Sequence, residues 1–149
     1  MAKLETIISN TISILKAGLV TTDCQVNGPE VKIFVKERGF YADACASVIC
    51  AAPEFAHQDS AAITNPFLVV LLIASPVDRL EVSSLYGLYE SLNSLQHYIV
   101  IDEARIYVEY HPRLADNKWG YQAFYGVEEV IKIPSLPLEI SVAEIYKEG

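Results

Sequence analysis

The sequence predicts an α/β protein, more closely an α+β mixed sheet covered by helices. Three observations carry that expectation. An amphipathic period opens the chain, an apolar run between prolines sits at its middle, and short alternating segments fill its second half. A length of 149 residues suits a single domain over 1–149, and no linker, repeat or low-complexity stretch divides it.

The elements follow in order. Leu4, Ile7, Ile8, Ile12, Leu15 and Leu19 recur at helical spacing, with Ser9, Asn10, Ser13 and Lys16 on other faces. They make one helix, ending near Gly18. After Asn27-Gly28-Pro29, the residues Val31, Ile33 and Val35 alternate with Lys32, Phe34 and Lys36, which reads as a half-buried strand. Glu37-Arg38-Gly39 is its turn, and a second strand is expected from about Phe40 to Cys50. Ala51 to Asn65, with Pro53, His57, Gln58 and Asp59, reads as a loop.

Phe67 to Ala74 is apolar throughout and stops before Pro76, which fits a fully buried strand. Asp78 and Glu81 are spaced as a capping box for a second helix, whose inner face is Leu85, Leu88, Tyr89, Leu92 and Leu95. His97–Ile101 and Arg105–Tyr110 read as strands about an acidic turn, and His111 to Lys118 as a polar loop. Trp119 to Tyr125 alternates again. Val130 to Ile133 adds a short strand before Pro134 and Pro137, and Ser141 with Glu144 caps a last helical turn.

Composition bounds the function. The chain has 11 Lys+Arg against 19 Asp+Glu, a net charge of −8, 52% hydrophobic residues and a mean hydropathy of +0.26. A core forms without any staple, since a chain of this size buries about 68% of its unfolded surface. The acidic balance argues against avid, non-specific nucleic-acid binding, which depends on counterions displaced by Lys and Arg. DNA is therefore only a weak candidate partner.

No membrane association is expected, because the apolar run is far short of the ~20 residues of a spanning helix. The opening residues are broken by Glu5, Ser9 and Asn10, so no leader is expected and the cytoplasm is the expected location. Cys24, Cys45 and Cys50 lack CxxC spacing and read as small buried hydrophobes in a reducing compartment. His57, His97 and His111 lack metal-ligand spacing, so no zinc site is expected.

Several segments together resemble one family. They are Gly39-Phe-Tyr-Ala-Asp43, Ser47-Val-Ile-Cys50, Pro53-Glu-Phe55, Asn65-Pro66 leading into Leu68–Ile73, and Ser75-Pro76. Glu81-Val-Ser-Ser-Leu85-Tyr-Gly-Leu-Tyr89, Asn93–Asp102, Ile133–Ile140 and Glu144-Ile-Tyr146 continue the series in the same order. The chain resembles the cyanobacteria-rich restriction endonuclease family of the PD-(D/E)xK nuclease superfamily over nearly its whole length. The resemblance implies a restriction-endonuclease-like core with flanking helices and a C-terminal antiparallel strand extension. It also implies a homodimer, and a family opening segment, an acidic β-hairpin region, that is not matched here.

The family chemistry is metal-assisted phosphodiester hydrolysis. It needs two carboxylates on a hard divalent ion, Mg²⁺, and a lysine to stabilise charge at the phosphate or to orient water. The resemblance places the first acid at Asp43, where the preceding family proline is Ala42. It places the second at Leu71 when counted from Asn65-Pro66, or at Leu72 when counted back from Ser75-Pro76. It places the lysine at Leu85. Two of three catalytic positions are thus apolar, and Asp43, which stays the candidate metal ligand, reads as a hydrogen-bonded remnant near a strand end.

No cofactor is then expected, although an intact member would use Mg²⁺. Three readings follow. The first is a restriction-endonuclease-like protein without phosphodiesterase activity, acting by binding or assembly. The second is an active Mg²⁺-dependent endonuclease with ligands relocated around Asp43, from Glu54, Asp78 or Glu81. The third is an accessory subunit pairing with a related family member. Lys32, Lys36 and Arg38 read as a solvated face. Tyr107, Tyr110, Trp119, Tyr121, Phe124 and Tyr125 read as cross-strand packing, or as a self-association surface.

Overall fold

The structure is a computed structural model and describes residues 3–56, 59–74, 87 and 89–148. Helix α1 (Leu4–Gly18) forms where the amphipathic period predicts it, burying Ile7, Thr11 and Leu15. A six-stranded sheet lies beneath it, in the order β1 (Gln25–Asn27), β4 (Ala46–Ile49), β7 (Leu68–Ile73), β8 (His97–Asp102), β9 (Val108–Pro112) and β10 (Gln122–Phe124). Every neighbouring pair is antiparallel except β7 and β8, which run parallel. A parallel pair needs a crossover between its strands, here residues 74–96.

A second sheet has the order β3 (Phe40–Ala42), β2 (Lys32–Val35), β6 (Asp59–Ile63), β5 (Phe55–Ala56). β11 (Val130–Ile133) and β12 (Leu138–Ser141) form a separate antiparallel ribbon, the expected C-terminal extension. A short α2 (Val142–Tyr146) closes the chain, and its Ser141 cap accepts the Glu144 N–H at 3.4 Å.

The core has two layers on opposite faces of the main sheet. One gathers Ile7, Leu15, Val48, Leu68, Val70, Ile99, Ile101, Ile131, Ile140 and Ile145 under α1 and the ribbon. The other gathers Ile33, Val35, Ile49, Val69, Leu71, Tyr89, Leu92, Tyr98 and Val100. β7 and β8 serve both layers, because successive side chains point to opposite faces. That is why Phe67–Ala74 could be apolar throughout.

Two polar devices hold the periphery. His97, on β8, is buried, with Nδ1 at 2.8 Å from the Tyr110 hydroxyl and Nε2 at 2.8 Å from the Ser135 hydroxyl, so it ties the sheet to the ribbon turn. Burial holds its pKa down at about 4. Arg113 donates to the carbonyls of Leu95, Glu90 and Leu92, and its guanidinium lies 4.5 Å from the centre of the Trp119 ring. It thereby terminates the segment that packs Tyr89, Leu92 and Leu95 into the core.

Several expectations need correction. The strand expected from Phe40 to Cys50 is broken at Asp43–Cys45, where the chain leaves the small sheet for the large one. The loop expected over Ala51–Asn65 contains β5 and β6; β6 is drawn into order by parallel pairing with β2, which no local pattern announces. His111 belongs to β9 and is buried, not part of a polar loop.

The cysteines are also corrected. Cys24 and Cys50 form a disulfide with a Cα–Cα distance of 4.1 Å, and Cys45 is the free, buried thiol. Pairing Gln25 with Ile49 brings the next residues, Cys24 and Cys50, opposite each other. Sequence spacing alone carries no trace of that register. Of the second helix, Gly87, Tyr89 and Glu90 are helical, while its proposed cap residues Asp78 and Glu81 lie outside the described residues. No helix among the described residues is long and apolar enough to cross a membrane.

Candidate functional site

Asp43 occupies the break between β3 and β4, where the chain changes sheets. Two hydrogen bonds fix the backbone there. The Cys45 N–H donates to the Val70 carbonyl at 2.8 Å, and the Tyr89 hydroxyl donates to the Asp43 carbonyl at 3.2 Å. Ala42 and Ala44, on either side, are buried. With both flanking residues turned inward, the Asp43 side chain turns outward and is 82% exposed. Burial and, secondarily, the Asp43 charge push the Tyr89 phenol well above its ordinary pKa.

The partner of the Asp43 carboxylate is Lys32, through a direct ion pair. Their meeting follows from register: Ile33 pairs with Ala42, so Lys32 at the head of β2 stands beside Asp43. Lys36, on the turn that follows, faces Glu54 at 4.0 Å. Both pairs are exposed, so each contributes at most about 1 kcal/mol. Gly39 allows this turn, with φ +59° in the left-handed region.

Leu71 and Leu72 fall on opposite faces of β7. Leu71 is buried in the layer that holds Ala44, Tyr89 and Val100. Leu72 is half-buried against the layer under α1. Leu71 is therefore the position that shares a face with the residues flanking Asp43. Leu85 lies outside the described residues, as do Asp78 and Glu81. Glu54 is held elsewhere, its N–H donating to Asn65 Oδ1 at 2.9 Å and its carboxylate facing Lys36. The structure thus brings Asp43 together with Lys32, and Glu54 together with Lys36. Among the described residues, no three His, Cys, Asp or Glu side chains form a set able to hold a metal ion.

A buried polar array escaped the sequence reading. Glu109 is 4% exposed; one carboxylate oxygen accepts the Tyr107 hydroxyl at 2.7 Å, and the other lies 3.0 Å from His111 Nε2. The Tyr107 hydroxyl also meets that of Tyr121 at 2.7 Å, and burial together with these bonds raises the Tyr107 pKa strongly. The His111 ring stacks on Tyr98 at 4.3 Å. Tyr98 in turn donates to Glu90 at 2.8 Å.

The signal for this array is the period-two run Tyr107, Glu109, His111, which puts Glu109 and His111 on one face of β9 with Tyr107 just before it. The sequence reads this run as part strand and part loop. Register places Leu71 beside Val100 and Val100 beside Glu109, so Glu109 shares a sheet face with Leu71, two strands away. Chemically, the array fixes the orientation of the His111 ring and satisfies both oxygens of the buried Glu109 carboxylate.

The comparisons with known proteins agree with this architecture. Over 98% of its length the chain superposes, with a TM-score of 0.73 and 13% identity, on 81% of a crystal structure from Anabaena variabilis described as "a putative nuclease belonging to DUF820". The fold is restriction-endonuclease-like. An uncharacterised protein of Synechocystis sp. (strain PCC 6803) is 24% identical over 90 residues, 60% of this chain. The chain spans about half the length of that curated relative, since the match covers 51% of it. Both organisms are cyanobacteria, as the resemblance read from the sequence implies. No family model matches the chain.

Proposed function

We propose that this nuclease-fold protein lacks metal-dependent phosphodiester cleavage and acts through binding or assembly. One observation carries the reading: Asp43 points into solvent onto Lys32, while the β7 residue that shares the face of its neighbours is the buried Leu71. Mg²⁺ is held by several converging oxygens and gives up its water reluctantly. An exposed carboxylate already paired with an ammonium does not fit it.

Among the described residues, the same geometry disfavours relocated ligands. Glu54 is engaged with Lys36. Glu109 lies three strands from β4 in the sheet order, about 14 Å at ordinary strand spacing, and both its oxygens are already bonded. The apolar replacement is also physically coherent, since burying a leucine side chain is worth about 1.5–3 kcal/mol and leaves no unpaired charge. The test is incubation of purified protein with supercoiled plasmid and Mg²⁺ or Mn²⁺. Intact plasmid is expected; cleavage that disappears in Asp43→Ala would overturn the reading.

Assembly has an observation of its own. Tyr107 and Tyr110 of the aromatic segment are buried, but Tyr121 and Tyr125, which flank the edge strand β10, are 58% and 64% exposed. Edge strands are templates for pairing, and tyrosines suit interface cores. A homodimer, or a pair with a related family member, would cover them. Sedimentation of wild type and Tyr121→Ser/Tyr125→Ser tests this: association in wild type and its loss in the variant are expected, and a wild-type monomer at high concentration contradicts it. The reading keeps the cytoplasmic location expected from the sequence and gives DNA at most a weak role.

A further inference from the structure

We propose that the Cys24–Cys50 disulfide is a reducible clasp on the edge of the main sheet, opened by thiol–disulfide exchange with a dithiol and closed by the reverse reaction. Three structural features carry this. The bond joins neighbouring antiparallel strands directly across, in continuation of the Gln25–Ile49 pairing. Both cysteines are only half-buried, so a small thiolate can reach them, whereas Cys45 is buried. Finally, β1 is a three-residue edge strand whose strand partner is β4 alone, so besides the disulfide it is held only by that short ladder and by Val26 packing against the core under α1.

The exchange balances without another reactant. One thiolate of the dithiol attacks a sulfur of the pair, the S–S bond breaks, and the other cysteine leaves as a thiolate that takes up a proton. The second thiolate of the reagent then displaces the first cysteine. The protein gains two thiols, and the dithiol leaves as its cyclic disulfide. Cys45 stays out of the exchange, because burial pushes its thiol pKa up to about 12 and a thiol that does not ionise is not a nucleophile.

Opening the clasp frees β1 and bares the outer edge of β4. That strand lies between the Asp43 break and Cys50, so the redox state acts on the segment that positions Asp43. The clasp is independent of the proposed loss of cleavage and stands or falls separately.

The test uses the intact chain, oxidised and then treated with millimolar dithiothreitol under native conditions, read by alkylation mass spectrometry and by hydrogen exchange. Before reduction, native alkylation should label no cysteine; after it, Cys24 and Cys50 but not Cys45. Amide exchange over residues 24–28 should rise at least about tenfold, with β7 and β8 unchanged. The Cys24→Ser/Cys50→Ser variant should show the fast exchange with or without reductant. Resistance to native reduction, reduction without faster exchange at β1, or free Cys24 and Cys50 after exposure to excess oxidised glutathione would each overturn the proposal.

Discussion

Acidification should weaken the fold through His97. This imidazole sits between the Tyr110 and Ser135 hydroxyls, and its folded pKa is about 4 against an ordinary 6.5. Between those values the unfolded chain binds a proton that the folded chain refuses, so stability rises with pH there. The contribution is complete above pH 6.5 and is lost as pH falls toward 4. Linkage with these two values gives a loss of roughly 2 kcal/mol between pH 7 and pH 5, a large share of an ordinary domain's stability.

The assay is urea unfolding of wild type and His97→Gln at both pH values. Glutamine keeps a donor and an acceptor but does not titrate, and carboxylates such as Glu109 and Asp102 are common to both proteins. Subtracting the two pH dependences therefore isolates the histidine. Wild type should lose roughly 2 kcal/mol more than the variant. Equal losses in the two proteins would refute a buried neutral His97.

Other perturbations separate the remaining interactions. Ser47 Oγ is buried with no hydrogen-bond partner among the described residues, so Ser47→Ala should leave stability unchanged or raise it by about 1 kcal/mol in chemical denaturation. Arg113→Lys should cost about 2 kcal/mol, because an ammonium cannot reach the carbonyls of Glu90, Leu92 and Leu95 together; a thermal melt matching wild type would count against that role. Cys24→Ser/Cys50→Ser removes a cross-link over a sequence separation of 26, which chain entropy values at roughly 3–4 kcal/mol, read as a lower urea midpoint than the oxidised wild type. Asp43→Asn should change stability by less than about 1 kcal/mol, as expected for an exposed ion pair.

Much of the fold was legible because it rests on local periodicity. α1, β7, β8, the Lys36–Gly39 turn and the Ser141 cap each declare themselves within a short window. What was not legible depends on register between distant segments. β6 is ordered by β2, the disulfide arises from pairing of β1 with β4, and Lys32 meets Asp43 through pairing of β2 with β3. The candidate site divides the same way. The identities of Asp43, Leu71 and Leu72 were readable, but which leucine shares a face with Ala44 and Tyr89 needed the sheet. The array of Glu109 and His111 is not legible, because the sequence places Glu109 in a strand ending at Tyr110 and His111 in a loop, whereas β9 runs two residues further, to Pro112.

The central claim concerns a metal site, and metal binding tests it most directly. Electron paramagnetic resonance of free Mn²⁺ titrated with the oxidised protein reads binding without requiring turnover. An Asp43 already paired with Lys32 predicts a free-ion signal that protein leaves undiminished, identical for wild type and Asp43→Ala. Saturable loss of the free-ion signal at one ion per chain, abolished by Asp43→Ala, would contradict the account.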